Sequence, residues 1–511
     1  MAHAEQDLIA RLRGPHAGRP KGLEASDDLD PASPLARHDA KELYFGLLQD
    51  QPDASMLAQS RDFLIEQLNA AAELDADLPA DMSDLALWMK SNSAAVGRQY
   101  REYLAERHNG GARRYFRTKS HALSFIKGVA PTKLVDGAWL YGLVPHWREA
   151  RYAELIRIYL EELGEGGPDK NHVLLYKTLL ASYECEAWEA LGAEHFVQGA
   201  IQLSLAQHTN ALLPEVIGFN LGYEQLPLHL LICAYELNEL GIDPYYFTLH
   251  VTIDNAASGH AARAAQSVLD ALPRLGDPVA FYRRIRDGYR LNSLGKSTLD
   301  VIAGFDLERE VLAMLAAKAP VGARLHSDYC RIGGRTVNDW LSTPAQMGGF
   351  VAALEKAGWI RRHEPPENSR FWALLMGEKG PMFGVFNVYE RQLIHDWIAG
   401  DSLPATTRAA DSYRNRERAL EAWRKSPCPD SVAGSRGQPW IADGGAQRGG
   451  FNELLPPNDV HDETRLLRDK LATASSRSAA MDLLVPWLSP VHHHTPAGLL
   501  ATRLFNQGLR P

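Results

Sequence analysis

The sequence predicts a mainly α protein with an α+β extension toward its C-terminus, and three observations carry that expectation. Apolar residues recur at spacings of three and four from about residue 40 to 295. Gly and Pro interrupt the pattern only at separated points, and the texture changes near residue 300. The spacing is plain in SRDFLIEQLNAAAEL, REARYAELIRIYLEEL, NHVLLYKTLLASY and EQLPLHLLICAYELNEL, and no fixed-period repeat is visible.

Element by element, residues 1–40 hold RPKGLEASDDLDPASP and read as a flexible arm. Residues 41–297 form the helical domain, broken at GEGGP (Gly164 to Pro168), at Leu213-Pro214 and at GIDP (Gly241 to Pro244). Within residues 298–400, Gly333 to Met376 reads as a short helix, a helix from Pro344, and two strands, Trp359 to His363 and Arg370 to Leu375, around PPENS. That outline is winged-helix-like. Residues 401–460, with KSPCPDSVAGSRGQPWIADGGAQRGG, read as a long loop, and residues 461–511 as C-terminal helices.

Composition narrows the function classes. The 511 residues are 45% apolar and 23% charged, the balance of a globular chain, and none of its apolar runs approaches the ~18 residues of a membrane span. A net charge of −9 disfavours nucleic acid as a partner, and the winged-helix-like segment is not notably basic, so packing or dimerisation suits it better and a homodimer is allowed. Met1 to Gln6 supply neither the basic start nor the apolar block of a signal peptide, and Cys185, Cys233, Cys330 and Cys428 form no C-x-x-C pair. The cytoplasm is the expected compartment.

Chemistry concentrates in the helical domain. HVTIDNAASGHA places His250 and Asp254 four apart, about 40° round a helix, where they can share one ion. His260 lies six beyond Asp254, roughly 240° round, and reaches the same ion only if the small residues Ala256 to Gly259 unwind. Taken alone, such a pair is more often a surface hydrogen bond. Asp136 in LVDGAWL, Glu161 and Glu162 before GEGGP, His172 after it and Glu215 among Leu212, Leu213, Val216 and Ile217 complete the candidates, since a charge in apolar surroundings is costly unless paired or metal-bound.

The combination of LEELGEGGPDKNH, LPEVIGFNLGYE and HVTIDNAASGHA resembles the haem-oxygenase-like diiron oxidases and oxygenases, in the branch described as iron-containing redox enzymes, over roughly Leu134 to Val268. Arg324 to Trp397 and the tail VHHHTPAGLLATRLF resemble that branch's long members. The resemblance implies a helical bundle holding two Fe(II) per chain on Asp136, Glu162, His172, Glu215, His250, Asp254 and His260, with Glu161 the alternative to Glu162. The simplest pattern of that branch puts the last histidine three after the Asp, where this chain has Ala257. It further implies an O2-dependent oxidase or oxygenase acting on a small amine, amino acid or carboxylic acid by N-oxygenation, desaturation or carbon–carbon cleavage, supplied by an unidentified electron donor. The alternatives are a small-molecule-binding or regulatory protein using the winged-helix-like segment, and a haem-binding or metal-free oxidase on the same bundle.

The remaining polar motifs read as structural. Glu224 and His229 suit a helix surface or the orienting of a ligand from behind. His492, His493 and His494 sit in a turn between Pro490 and Pro496, Arg331, Arg335 and Lys170 suit surface ion pairs, and Cys330 has no base pattern beside it.

Overall fold

Helices start where a side chain is available to satisfy the free N–H groups of a first turn. Asp53 Oδ1 accepts from Met56 N at 2.7 Å, Asn171 Oδ1 from Leu174 N at 3.0 Å, and Ser297 forms a reciprocal capping box with Asp300. A computed structural model describes residues 38–253, 259–376, 380, 382, 384–402 and 462–510. The expected breakers act as such: the chain turns at Gly164 and Gly166 with φ of 63° and 83°, starts a helix at Leu213 with Pro214 in its first turn, and turns again at Gly241. The result is mainly α, as the periodicity requires.

Two apolar cores organise these helices. One gathers Ala54–Ala72, Ala153–Glu162, Val197–Gln207, Leu213–Tyr223, His260–Asp270 and Pro278–Arg290, together with the C-terminal helices Asp462–Ala472, Arg477–Leu484 and Pro496–Leu509. The other joins Lys119–Gly128, His172–Ser182, Leu228–Glu239 and Tyr245–Ile253 to helices of the later segment, including Leu307–Gly322, Met347–Lys356 and Val388–Ala399. Backbones approach closely where glycine permits it. A Cβ on Gly218 would fall 1.8 Å from Ile285 O and one on Gly288 2.1 Å from Glu215 O, so Leu213–Tyr223 and Pro278–Arg290 can pack this tightly only with glycine there. No helix among the described residues is long and apolar enough to cross a membrane.

The later segment differs from the expected winged-helix outline. Arg370–Leu375 is a helix, and Trp359 to His363 is not a strand. Phe371, Trp372 and Leu375 are buried at i, i+1 and i+4, the spacing of one helical face, and a short apolar run leaves helix and strand undecided until its neighbours are known. The strands among the described residues are Arg331–Ile332 and Arg335–Thr336, antiparallel about Gly333-Gly334, whose φ values of 58° and 83° suit a tight two-residue hairpin turn. That hairpin precedes its helices instead of following them. The loop expected at 401–460 lies almost wholly outside the described residues.

Candidate metal centre

Four buried side chains meet on the seam between the two cores. Asp136 comes from the turn after Ala130–Lys133, Glu162 from the end of Ala153–Glu162, His172 from the first residue of His172–Ser182 and His250 from Tyr245–Ile253; one ligand atom of each lies within 4.8 Å of those of the others. A second group shares Glu162 and adds Glu224 and His260 within the same limit. The two Glu162 oxygens face different histidines, Oε2 touching His172 Nδ1 and Oε1 lying 3.2 Å from His260 Nδ1. Glu162 therefore stands between the groups.

Local structure explains the convergence. Gly137 has φ of 81°, and a Cβ there would sit 3.0 Å from Glu162 Cβ, so glycine both makes the turn and leaves room for the carboxylate. Asn171 caps the helix that begins at His172 and donates from Nδ2 to Leu163 O at 3.2 Å, tying the His172 end of the GEGGP loop to the Glu162 end. The C-terminal helix Pro496–Leu509 presses on that loop, with Leu499 O 2.3 Å from where a Gly166 Cβ would lie. His493 Nδ1 is 3.1 Å from Asn171 Nδ2, His494 bonds Lys177 and His492 bonds Asp50. The three consecutive histidines thus go three ways and form no group of their own among the described residues.

Proton positions favour metal ligation. His250 Nδ1 lies 2.8 Å from Tyr246 O, and because a carbonyl only accepts, the proton is on Nδ1 and Nε2 turns its lone pair toward Asp136 at 3.4 Å. His260 Nε2 lies 2.9 Å from Glu161, itself clamped by Arg263 at 2.8 and 2.6 Å; a proton there leaves Nδ1 facing Glu162 and Glu224. A carboxylate behind an imidazole is the usual way of fixing the orientation of a metal-binding histidine. Asp136 Oδ2 accepts from Tyr246 OH at 2.5 Å, and Lys133, which donates to Tyr223 OH at 3.0 Å, adds positive charge beside it.

The charges cannot rest there without a partner. Asp136 is 2% exposed, Glu162 3% and His172 0%, and Asp136 Oδ1, His172 Nε2 and His250 Nε2 make no hydrogen bond among the described residues. Burial opposes a charged His172, yet Glu162 and Asp136 outweigh it and push its pKa up to about 10, while His172 and His260 hold Glu162 down to about 2 against the same burial. Several acids and imidazoles packed together in an apolar seam are costly by themselves and favourable around a cation. The donor set fits iron: oxygen and imidazole ligands, without thiolate, suit Fe(II).

Some expected residues lie elsewhere. Glu215 is buried but belongs to neither group; Arg284 clamps it through Nε at 2.5 Å and Nη2 at 2.7 Å, stapling Leu213–Tyr223 to Pro278–Arg290. Glu224 occupies the centre instead. Nine residues separate the two, about 180° round a helix, so a helix that turns one toward the centre turns the other away. His260 joins the second group as the first residue of a separate helix, His260–Asp270. Asp254 lies outside the described residues. Tyr246 and Asn171 went unremarked because their roles depend on partners 110 and 322 residues away.

A helical fold with a buried carboxylate and histidine cluster could hold a metal ion without thiolate ligands. Residues 123–289, which hold all six converging residues, match the model of the iron-containing redox enzyme family, consistent with the haem-oxygenase-like superfamily. No curated protein and no solved structure matches the chain.

Proposed function

We propose that the protein is a non-haem diiron oxidase or oxygenase that uses O2 to oxidise a small amine, amino acid or carboxylic acid. The observation that carries this reading is the pair of ligand groups joined at Glu162. Asp136, His172 and His250 hold one Fe(II), Glu224 and His260 the other, and Glu162 serves both. Two ferrous ions, when bound, supply electrons and open positions for dioxygen. Tyr246 and Glu161 hold Asp136 and His260 in place, and the two apolar cores exclude bulk water from the seam.

Haem is the weaker reading. A haem iron takes one or two axial ligands from the protein, whereas six converging groups suit bare ions. The reaction needs an outside electron donor, and a reducing cytoplasm fits Cys185, Cys233 and Cys330, which are unpaired. Anaerobic titration with Fe(II) tests the reading: binding saturates near two per chain, and admitting O2 produces an optical transient. Saturation well below two without a transient refutes it.

A further inference from the structure

Away from the metal centre, a small cleft of about 90 Å³ opens where Lys119–Gly128 meets the stretch from Lys296 to Glu310. None of its lining residues belongs to the metal centre. Lys127, Lys296 and Arg309 converge on it, in a chain whose overall charge is −9. Their counterions are Glu310, which also lines the cleft, and Glu194. The nearest carboxylates to the lysines are Glu310 and Glu194, each at 3.9 Å, and Glu194 is 60% exposed. Arg309 donates through Nη2 to Gly304 O at 2.6 Å and has no carboxylate within ion-pairing distance among the described residues.

The cations are also held in place. His195 Nδ1 donates to Gly128 O at 2.7 Å, which leaves its Nε2 to accept from Lys296 Nζ at 3.1 Å. Lys127 lies over the Tyr389 ring, 4.9 Å from the centroid, with its side chain only 18% exposed. A solvated surface lysine needs no such support. Leu191, Val301 and Phe305 add an apolar side to the cleft, and Phe305 is fixed by stacking on the buried His121 ring at 4.6 Å.

We propose that this cleft binds a small organic anion, its phosphoryl or carboxylate head among Lys127, Lys296 and Arg309 and its apolar body against Leu191, Val301 and Phe305. Ammonium and guanidinium groups with weak internal counterions recover their missing partner from such a head, and apolar walls with a few converging charges are the ordinary composition of a ligand site.

Calorimetric titration of the full chain with phenyl phosphate, benzoate, inorganic phosphate and benzyl alcohol tests this, with K296M/R309M beside the wild type. Saturable binding of phenyl phosphate or benzoate is expected, and which of them binds identifies the head group. The double variant should weaken it at least tenfold with an unchanged melting temperature, and K296R/R309K should restore it. Inorganic phosphate should bind more weakly than phenyl phosphate, and benzyl alcohol not at all. Absence of saturable binding, equal binding by the double variant, or equal affinity for benzyl alcohol overturns the proposal.

Discussion

At the scale of single residues, the assignment of the centre turns on two glutamates. Glu224→Gln should lower iron stoichiometry below two and weaken binding at least tenfold, read by anaerobic titration, because its carboxylate lies with Glu162 and His260. Glu215→Gln should leave iron binding intact. It removes the partner of Arg284, whose side chain is 27% exposed and keeps some water, so a loss of about 1–3 kcal/mol in denaturant unfolding is expected. The reverse pattern would return Glu215 to the centre. Gly137→Ala tests the approach of turn and ligand: the left-handed φ of 81° costs a non-glycine residue about 1–2 kcal/mol, and the new Cβ displaces Glu162, so stability and iron affinity should fall together.

At the scale of elements, the segment from Glu162 to His172 is the structure on which the centre depends. Two residues that are not ligands set its shape, Asn171 within it and His493 from the C-terminal segment. Asn171→Ala removes the cap of His172–Ser182, worth about 1 kcal/mol, and the tie to Leu163. Iron affinity should drop more than the loss of stability accounts for, since the two ends of the loop carry Glu162 and His172. Asn171→Asp keeps the cap but loses the Nδ2 donor, so it should recover the melting temperature and not the iron affinity. Parallel recovery of both would show that the cap alone matters.

The later segment teaches the same lesson about elements. Its secondary structure was only partly legible because a six-residue run such as RFWALL satisfies either periodicity. Burial of Phe371, Trp372 and Leu375 in the second core settles it as a helix. The hairpin at Gly333-Gly334 did carry a local signal, two adjacent glycines, which the reading of that stretch as helix overlooked.

At the scale of the whole molecule, burial of histidine makes the fold sensitive to acid. Burial lowers the pKa of His208 from 6.5 to about 4, and its Nε2 lies 2.9 Å from Ser60 Oγ. Above pH 6.5 the ring is neutral in both folded and unfolded chains. As the pH falls from 6.5 toward about 4 the unfolded chain takes up a proton that the folded chain refuses, so stability declines across that window by up to about 3 kcal/mol from this residue. Denaturant unfolding at pH 7 and pH 4.5 checks this. His208→Gln should lose less stability between the two pH values than the wild type does, and an equal loss would remove His208 from the account.

Much of the protein was determined locally. Helical periodicity and the breakers follow from chain chemistry and give the mainly α class, while Asp136, Glu162, His172, His250 and His260, five of the six converging residues, enter as ligands through the resemblance to the iron-containing redox enzymes. What the sequence could not decide was the use made of each buried charge. Glu215 and Glu224 lie on one stretch of chain in equally apolar company, and only packing reveals that Arg284, 69 residues away, neutralises the first while His260 meets the second. A carboxylate's role is set by the partner that tertiary structure brings to it, because burial makes an unpaired charge too costly to leave alone.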